Sequence, residues 1–149
     1  VAKIADAFGM NVCYFSTSGT GHCKDYPCLS LEELLKTSDI VSIHAPLNER
    51  TNNLIAAEQL ALMKDTAYLV NVGRGAIVVE ADLAEAVDKG VIAGAGIDVF
   101  VQEPIPEDHP YLKMQHPERM RFSPHIAWAS IEARKRLIDI MADNIRKGW

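Results

Sequence analysis

Arg74, Glu103 and His125 each stand just past an apolar run, in the stretches "NVGRGAIV", "DVFVQEP" and "RFSPH". Arginine presents a planar fork of donors that can grip a carboxylate at two points. Histidine can hand a proton to a carbonyl oxygen near neutral pH. A carboxylate beside that histidine favours its protonated form and fixes its tautomer. Three such groups, brought together, would suffice to hold a 2-keto acid and protonate its carbonyl. Taken singly, each has a plainer reading. Arg74 could cap a helix or pair with a surface carboxylate, Glu103 could face solvent from a proline-rich loop, and His125 could shape the turn after Pro124. His44, at another strand end, is assigned no proton transfer.

The pattern around these residues decides whether they can meet. Helix and strand signals alternate along the whole chain. "VAKIADAF" has helical spacing at Val1, Ile4, Ala5 and Phe8 and is stopped by Gly9. "NVCYF" reads as a short strand and "STSGTGHCKDYPC" as a loop. "SLEELLKTS" opens with Ser30 and Glu33 in a capping-box arrangement. "DIVSIHAP", "TAYLVNV", "IAGAGIDVF" and "RFSPH" read as strands, with "AAEQLALMK" and "EADLAEAVDKG" as helices between them. "VQEPIPEDHPYLKMQHPERM" reads as an irregular loop. "SIEARKRLIDIMADNIRKG" reads as an amphipathic helix with Ile131, Leu137, Ile138, Met141 and Ile145 on one side.

Alternating apolar strands and helices imply a doubly wound α/β fold, a parallel sheet covered on both faces. Ligands of such sheets bind at the carboxyl ends of the strands. That places the candidate site among Ser16, His44–Pro46, Asn71–Arg74, Asp98 and the loop from His125.

Composition narrows the class. Of the 149 residues, 48% are hydrophobic and 23% charged, the balance of a water-soluble globular domain. A net charge of −5 argues against a general nucleic-acid surface. No run approaches the roughly 18 apolar residues of a membrane helix. Cys13, Cys23 and Cys28 are odd in number, which suits a reducing cytoplasm. His22, Cys23 and Cys28 match no usual zinc spacing, so no metal is expected.

The segments "LVNVGRGAIVVEADLAEAV", "GAGIDVFVQEP" and "SPHIAWAS" resemble, in order and near spacing, the D-isomer-specific 2-hydroxyacid dehydrogenases. The resemblance covers essentially the whole chain, and "PHIAWAS" is most similar to the glycerate dehydrogenase, or hydroxypyruvate reductase, branch. It implies a Rossmann-like domain in an enzyme that reduces a 2-keto acid such as hydroxypyruvate or glyoxylate with NAD(P)H. By the same resemblance Arg74 binds substrate, Glu103 is the catalytic acid, and His125 is the proton donor. Cofactor contacts are implied at Ser16, Thr17, Ala45, Pro46, Val72, Gly73, Arg74, Asp98, His125, Ala127 and Trp128, with Asp98 on the nicotinamide carboxamide. A homodimer is also implied. The family's corepressors, binding proteins on the same scaffold, are the alternative. Related formate dehydrogenases place glutamine at the position of Glu103; hydride loss from formate needs no proton acceptor, so Glu103 favours a hydroxy acid.

Two departures accompany the resemblance. "GTGHCK" and "GAGIDV" each lack the third glycine of a dinucleotide loop, and neither lies between a first strand and first helix. The family places that loop just before a helix like "VAKIADAFG". The first strand, the phosphate loop and a substrate domain are therefore expected upstream of Val1, and little activity is expected from these residues alone. The second departure lies after "NVCYF". Ser16, Thr17 and Ser18 stand where NAD-using members carry an aspartate for the adenine-ribose hydroxyls. Hydroxyls there do not repel a 2′-phosphate, and Lys24 is within a plausible reach, so NAD and NADP are both open.

Overall fold

The computed structural model describes residues 1–148. Four parallel strands, β1 (Ile40–Ile43), β2 (Tyr68–Asn71), β3 (Gly94–Ile97) and β4 (Met120–Phe122), pair in consecutive order to form one sheet. Helices α1 (Ala2–Ala7), α2 (Leu31–Thr37), α3 (Ala57–Leu60), α4 (Glu80–Asp88) and α5 (Ile131–Arg146) accompany it. This is an α/β, Rossmann-like architecture.

Local chemistry accounts for most boundaries. Ser30 Oγ accepts from the Glu33 amide at 3.2 Å and Glu33 Oε2 accepts from the Ser30 amide at 3.1 Å, closing the capping box that starts α2. Gly9 and Gly90 take φ of +82° and +69° after α1 and α4, a conformation that glycine adopts without steric penalty.

The ladder puts Val41, Leu69, Ala95 and Met120 in one row and Ile43, Asn71, Ile97 and Phe122 in another. Alternate residues of a strand point to opposite faces. The face bearing Val41, Ile43, Leu69, Ala95 and Ile97 is buried with Leu35, Leu60, Leu83 and Val87 of α2, α3 and α4. The opposite face is open, with Ile40 at 54% and Tyr68 at 50% exposure. Sheet coverage on both faces, expected from the apolar strands, is therefore corrected to coverage on one. Neither α1 nor α5 buries a residue, so the apolar stripe of α5 forms as expected but packs on nothing among the described residues.

Two further expectations change. "NVCYF" is not a strand: Tyr14 makes a single bridge to Cys28, and no neighbouring strand extends the ladder a strand needs. The proline-rich segment after β3 is more ordered than an irregular loop, with 3₁₀ turns at Pro110–Lys113 and Pro117–Arg119 and a buried Tyr111.

Gly75 carries the closest backbone approach near the strand ends. A Cβ there would stand 2.1 Å from the Phe100 carbonyl carbon and 2.4 Å from the Val101 nitrogen. Gly96 has open space, its nearest neighbour being Val70 Cγ2 at 3.9 Å. Gly75→Ala should destabilise the protein by at least about 1–3 kcal/mol, the usual cost of overpacking. Gly96→Ala should change stability by no more than about 0.5 kcal/mol. Urea midpoints of the two variants check this, and equal midpoints would contradict the packing described.

Candidate active site

The register sets the ends of four strands side by side. Ile43, Asn71, Ile97 and Phe122 are successive partners, so the residues that follow them leave the sheet along one edge. Ala45 and Pro46 follow β1, Val72 to Arg74 follow β2, Asp98 follows β3, and Ser123 to His125 follow β4. The ends of β1 and β2 are close enough that a Cβ on Gly73 would meet the Ala45 carbonyl at 3.1 Å. Thr51 donates to the Pro46 carbonyl at 2.7 Å and accepts from Asn48, tying down the loop after β1.

Asn71 shapes the arginine turn. Its buried amide accepts from the Gly73 N–H at 3.1 Å and donates to the Arg74 carbonyl at 3.0 Å. The turn leaves Arg74 exposed, its Nη1 donating only to the Gly73 carbonyl at 2.8 Å. Arg74 forms no ion pair among the described residues. Its fork of donors is available to a ligand.

His125 is held in the left-handed region, at φ +54°, which non-glycine residues seldom occupy. Asp98 enforces it. The His125 amide donates to the Asp98 carbonyl at 2.8 Å. The Asp98 carboxylate, 3% exposed, accepts from Ser123 Oγ at 2.5 Å and from the amides of Ile126 and Ala127 at 2.9 Å each. Burial by itself would raise the Asp98 pKa, but the Ser123 hydroxyl and these two amides outweigh it and hold it below the usual aspartate value. Trp128 completes the turn by donating its indole N–H to the His125 carbonyl at 2.9 Å.

Glu103 and His125 meet. Nδ1 of the imidazole lies 2.9 Å from Glu103 Oε2, both side chains being a little over a third exposed. Glu103 Oε1 accepts from the Phe100 N–H at 3.0 Å, so both carboxylate oxygens are engaged. The Phe100 amide first, and His125 second, hold the Glu103 pKa below the usual glutamate value. With Nδ1 turned to a carboxylate it is the donor, which leaves Nε2 as the nitrogen that can exchange a proton with a ligand.

The donor set can be tested against a nicotinamide cofactor. An ionised carboxylate offers about four acceptor positions. Three at Asp98 are taken, leaving one on Oδ2 for an amide donor. A concavity of about 230 Å³ beside the ends of β2, β3 and β4 is lined by Val70, Val72, Gly96, Asp98 and Ser123 among others. The arrangement fits a carboxamide-bearing ring beside the strand ends.

Ser16 is half-buried and bonds to Ser18 Oγ at 3.0 Å and to the Thr20 carbonyl at 2.5 Å, while Thr17 lies beside it in the chain. Arg50, which the sequence reading overlooked, reaches the Ser18 carbonyl with Nη1 at 3.4 Å. His22 bonds to Ser18 and Thr20, and no group of three potential metal ligands occurs among the described residues. His44 bonds to Ser42 Oγ at 2.9 Å.

A model of the D-isomer specific 2-hydroxyacid dehydrogenase NAD binding domain matches residues 1–127. The chain belongs to that family. A glyoxylate reductase of Korarchaeum cryptofilum is 44% identical over 148 residues, covering 97% of this chain and 44% of that protein. A hydroxypyruvate reductase of Blautia hydrogenotrophica is 38% identical over 147 residues, with 97% and 45% covered. Among solved structures, an acyclic imino acid reductase (Bsp5) in complex with NADPH and D-Arg superposes with a TM-score of 0.88 at 33% identity, covering 98% of this chain and 45% of that one. The chain thus spans less than half the length of these proteins.

The depressed Asp98 pKa has a stability consequence with a definite sign. Its contribution is fully present above the unfolded aspartate value of about 3.9 and is lost as pH falls through the lower folded value. The stability difference between wild type and Asp98→Asn should therefore narrow as pH drops from about 5 to 2. Denaturant titrations across that range test it; a difference independent of pH would be incompatible with an ionised Asp98 holding the turn.

Proposed function

We propose that the protein carrying this chain is an oxidoreductase that reduces a short 2-keto acid, glyoxylate or hydroxypyruvate foremost, to the D-2-hydroxy acid. The observation that carries the reading is the Glu103–His125 pair on the same sheet edge as an unpaired Arg74. Arg74 binds the keto acid's carboxylate and polarises its carbonyl. Nε2 of His125 gives its proton to the carbonyl oxygen, and Glu103 orients the ring and stabilises its charged form. A bound nicotinamide supplies the hydride. Asp98 would hold its carboxamide, and Val72, Gly73, Ala127 and Trp128, with Ala45 and Pro46 at the neighbouring strand end, would make further cofactor contacts.

Ser16 and Thr17 would meet the adenine ribose. Serine and threonine hydroxyls with no carboxylate among them leave room for a 2′-phosphate, and Arg50 adds a cation next to Ser18. NADPH is therefore accepted alongside NADH. The family model is described by NAD binding, and the similar imino acid reductase was solved with NADPH. We place the full protein in the cytoplasm as a homodimer, with no nucleic-acid or membrane partner. The three cysteines of this chain are unpaired, in keeping with a reducing compartment, and no helix among the described residues is long and apolar enough to cross a membrane.

The test is steady-state oxidation of NADH and NADPH by the full-length protein with glyoxylate, hydroxypyruvate and pyruvate. His125→Ala should lower kcat by about 10²–10⁴-fold, the usual worth of general acid catalysis. Arg74→Ala should chiefly raise KM for the keto acid, by about 10–100-fold for a lost charged contact of 1.5–3 kcal/mol. Near wild-type turnover in the histidine variant would reject the assignment. Cofactor binding without turnover on any of the three acids would favour a corepressor-like binding protein. Arg50→Ala should weaken NADPH more than NADH.

A further inference from the structure

The loop that carries Glu103 is fastened at two places by one carboxylate that lies outside the proton-transfer pair. Glu80 is the first residue of α4, where an acidic side chain would ordinarily do no more than favour the helix terminus. Here Oε1 accepts from the Val101 N–H at 3.0 Å, and Oε2 lies 3.0 Å from Nε2 of His109. The side chains are 13% and 4% exposed. His109 Nδ1 accepts from the Tyr111 N–H at 3.3 Å, so the ring hydrogen sits on Nε2 and is donated to Glu80. The imidazole is packed edge-on to Phe100 and tilted against Tyr111, with ring centroids 6.0 and 4.9 Å apart. Every polar atom of the pair is thereby used within the protein, and the surrounding rings keep it rigid.

Val101 and His109 bracket the segment that contains Glu103. The amide next to Val101, that of Phe100, is the one that orients Glu103 Oε1. A carboxylate with so little exposure is costly to desolvate unless it is fully bonded. Each oxygen of Glu80 accepts one hydrogen bond, and the two donors are the two ends of this loop. We infer that Glu80 and His109 are positioning residues: clasping both ends of the loop, they hold Glu103 in contact with His125. The inference rests on the reading of Glu103 and His125 as the proton-transfer pair.

A double-mutant cycle in the full-length protein separates positioning from general stability. Glutamine at position 80 keeps one acceptor but turns an amide NH₂ toward the second donor, so one end of the clasp opens. Glu80→Gln should lower kcat about 10-fold or more with a KM change below about 3-fold, the scale of coupling between residues of one network. In a Glu103→Gln background the same substitution should cost less than about 2-fold, because there is no longer a carboxylate to position. His109→Gln, which keeps a donor toward Glu80, should retain more of kcat than His109→Phe. An undiminished kcat in Glu80→Gln overturns the inference, and so does an equal loss in both backgrounds. If Glu80→Gln does not fold, the two His109 variants are carried through the same cycle under the same criteria. Failure of the underlying reading has a different signature, since Glu103→Gln and His125→Ala would then keep wild-type turnover whatever the Glu80 variants do.

Discussion

Everything at the active edge depends on the unshifted register of the four parallel strands. Ile43, Asn71, Ile97 and Phe122 stand shoulder to shoulder, so four loops leave the sheet at one level. A slip of one residue would turn each strand's buried side chains outward. It would also move Asp98 away from the turn it grips. The buried rows of Val41, Leu69, Ala95 and Met120 resist that slip, which links core packing directly to the placement of Arg74, Asp98 and His125.

The site is built by carboxylates that serve other groups. Asp98 spends three acceptor positions on the His125 turn, Glu103 is divided between the Phe100 amide and the imidazole, and Glu80 is divided between the two ends of a loop. Arg74 is the contrast, a cation with no carboxylate partner among the described residues. Fixed anions orient His125, whereas Arg74 has no such partner among the described residues. That division of charge is what the proposed reduction of a 2-keto acid would require.

Much of this was legible in the sequence because it rests on local signals. Strand residues betray themselves by continuous apolar runs, α2 by its Ser30–Glu33 box, and helix ends by Gly9 and Gly90. Arg74, Glu103 and His125 stood out as candidates because each follows such a run. Glu80, His109 and Arg50 were overlooked because their partners are set by the folded path, with no periodic mark; Asn71 was placed at its strand end, but not the two bonds by which it shapes the turn. Glu80 looks like any acidic residue in a first helical turn, and its distant partner Val101 has only a backbone N–H to offer. A polar residue ending the apolar strand, two places before Gly73, marked Asn71. The open sheet face was misjudged for a related reason: hydrophobicity tells which faces could be covered, while the exposure of Ile40 and Tyr68 reveals which one is left open among the described residues.

Consecutive strand order also bears on how the chain assembles. Each strand adds beside the one before it in sequence, so every new pairing closes a comparatively short loop, and the sheet can grow from one edge as the chain emerges. The functional groups arrive in the same direction: Arg74 with β2, Glu103 just past β3, and His125 only after β4 has docked. A chain paired only through β3 holds Arg74 and Glu103 without His125, the partner of Glu103 in the folded sheet. The Glu103–His125 contact, between residues 22 apart in sequence, is therefore complete only once β4 has paired with β3.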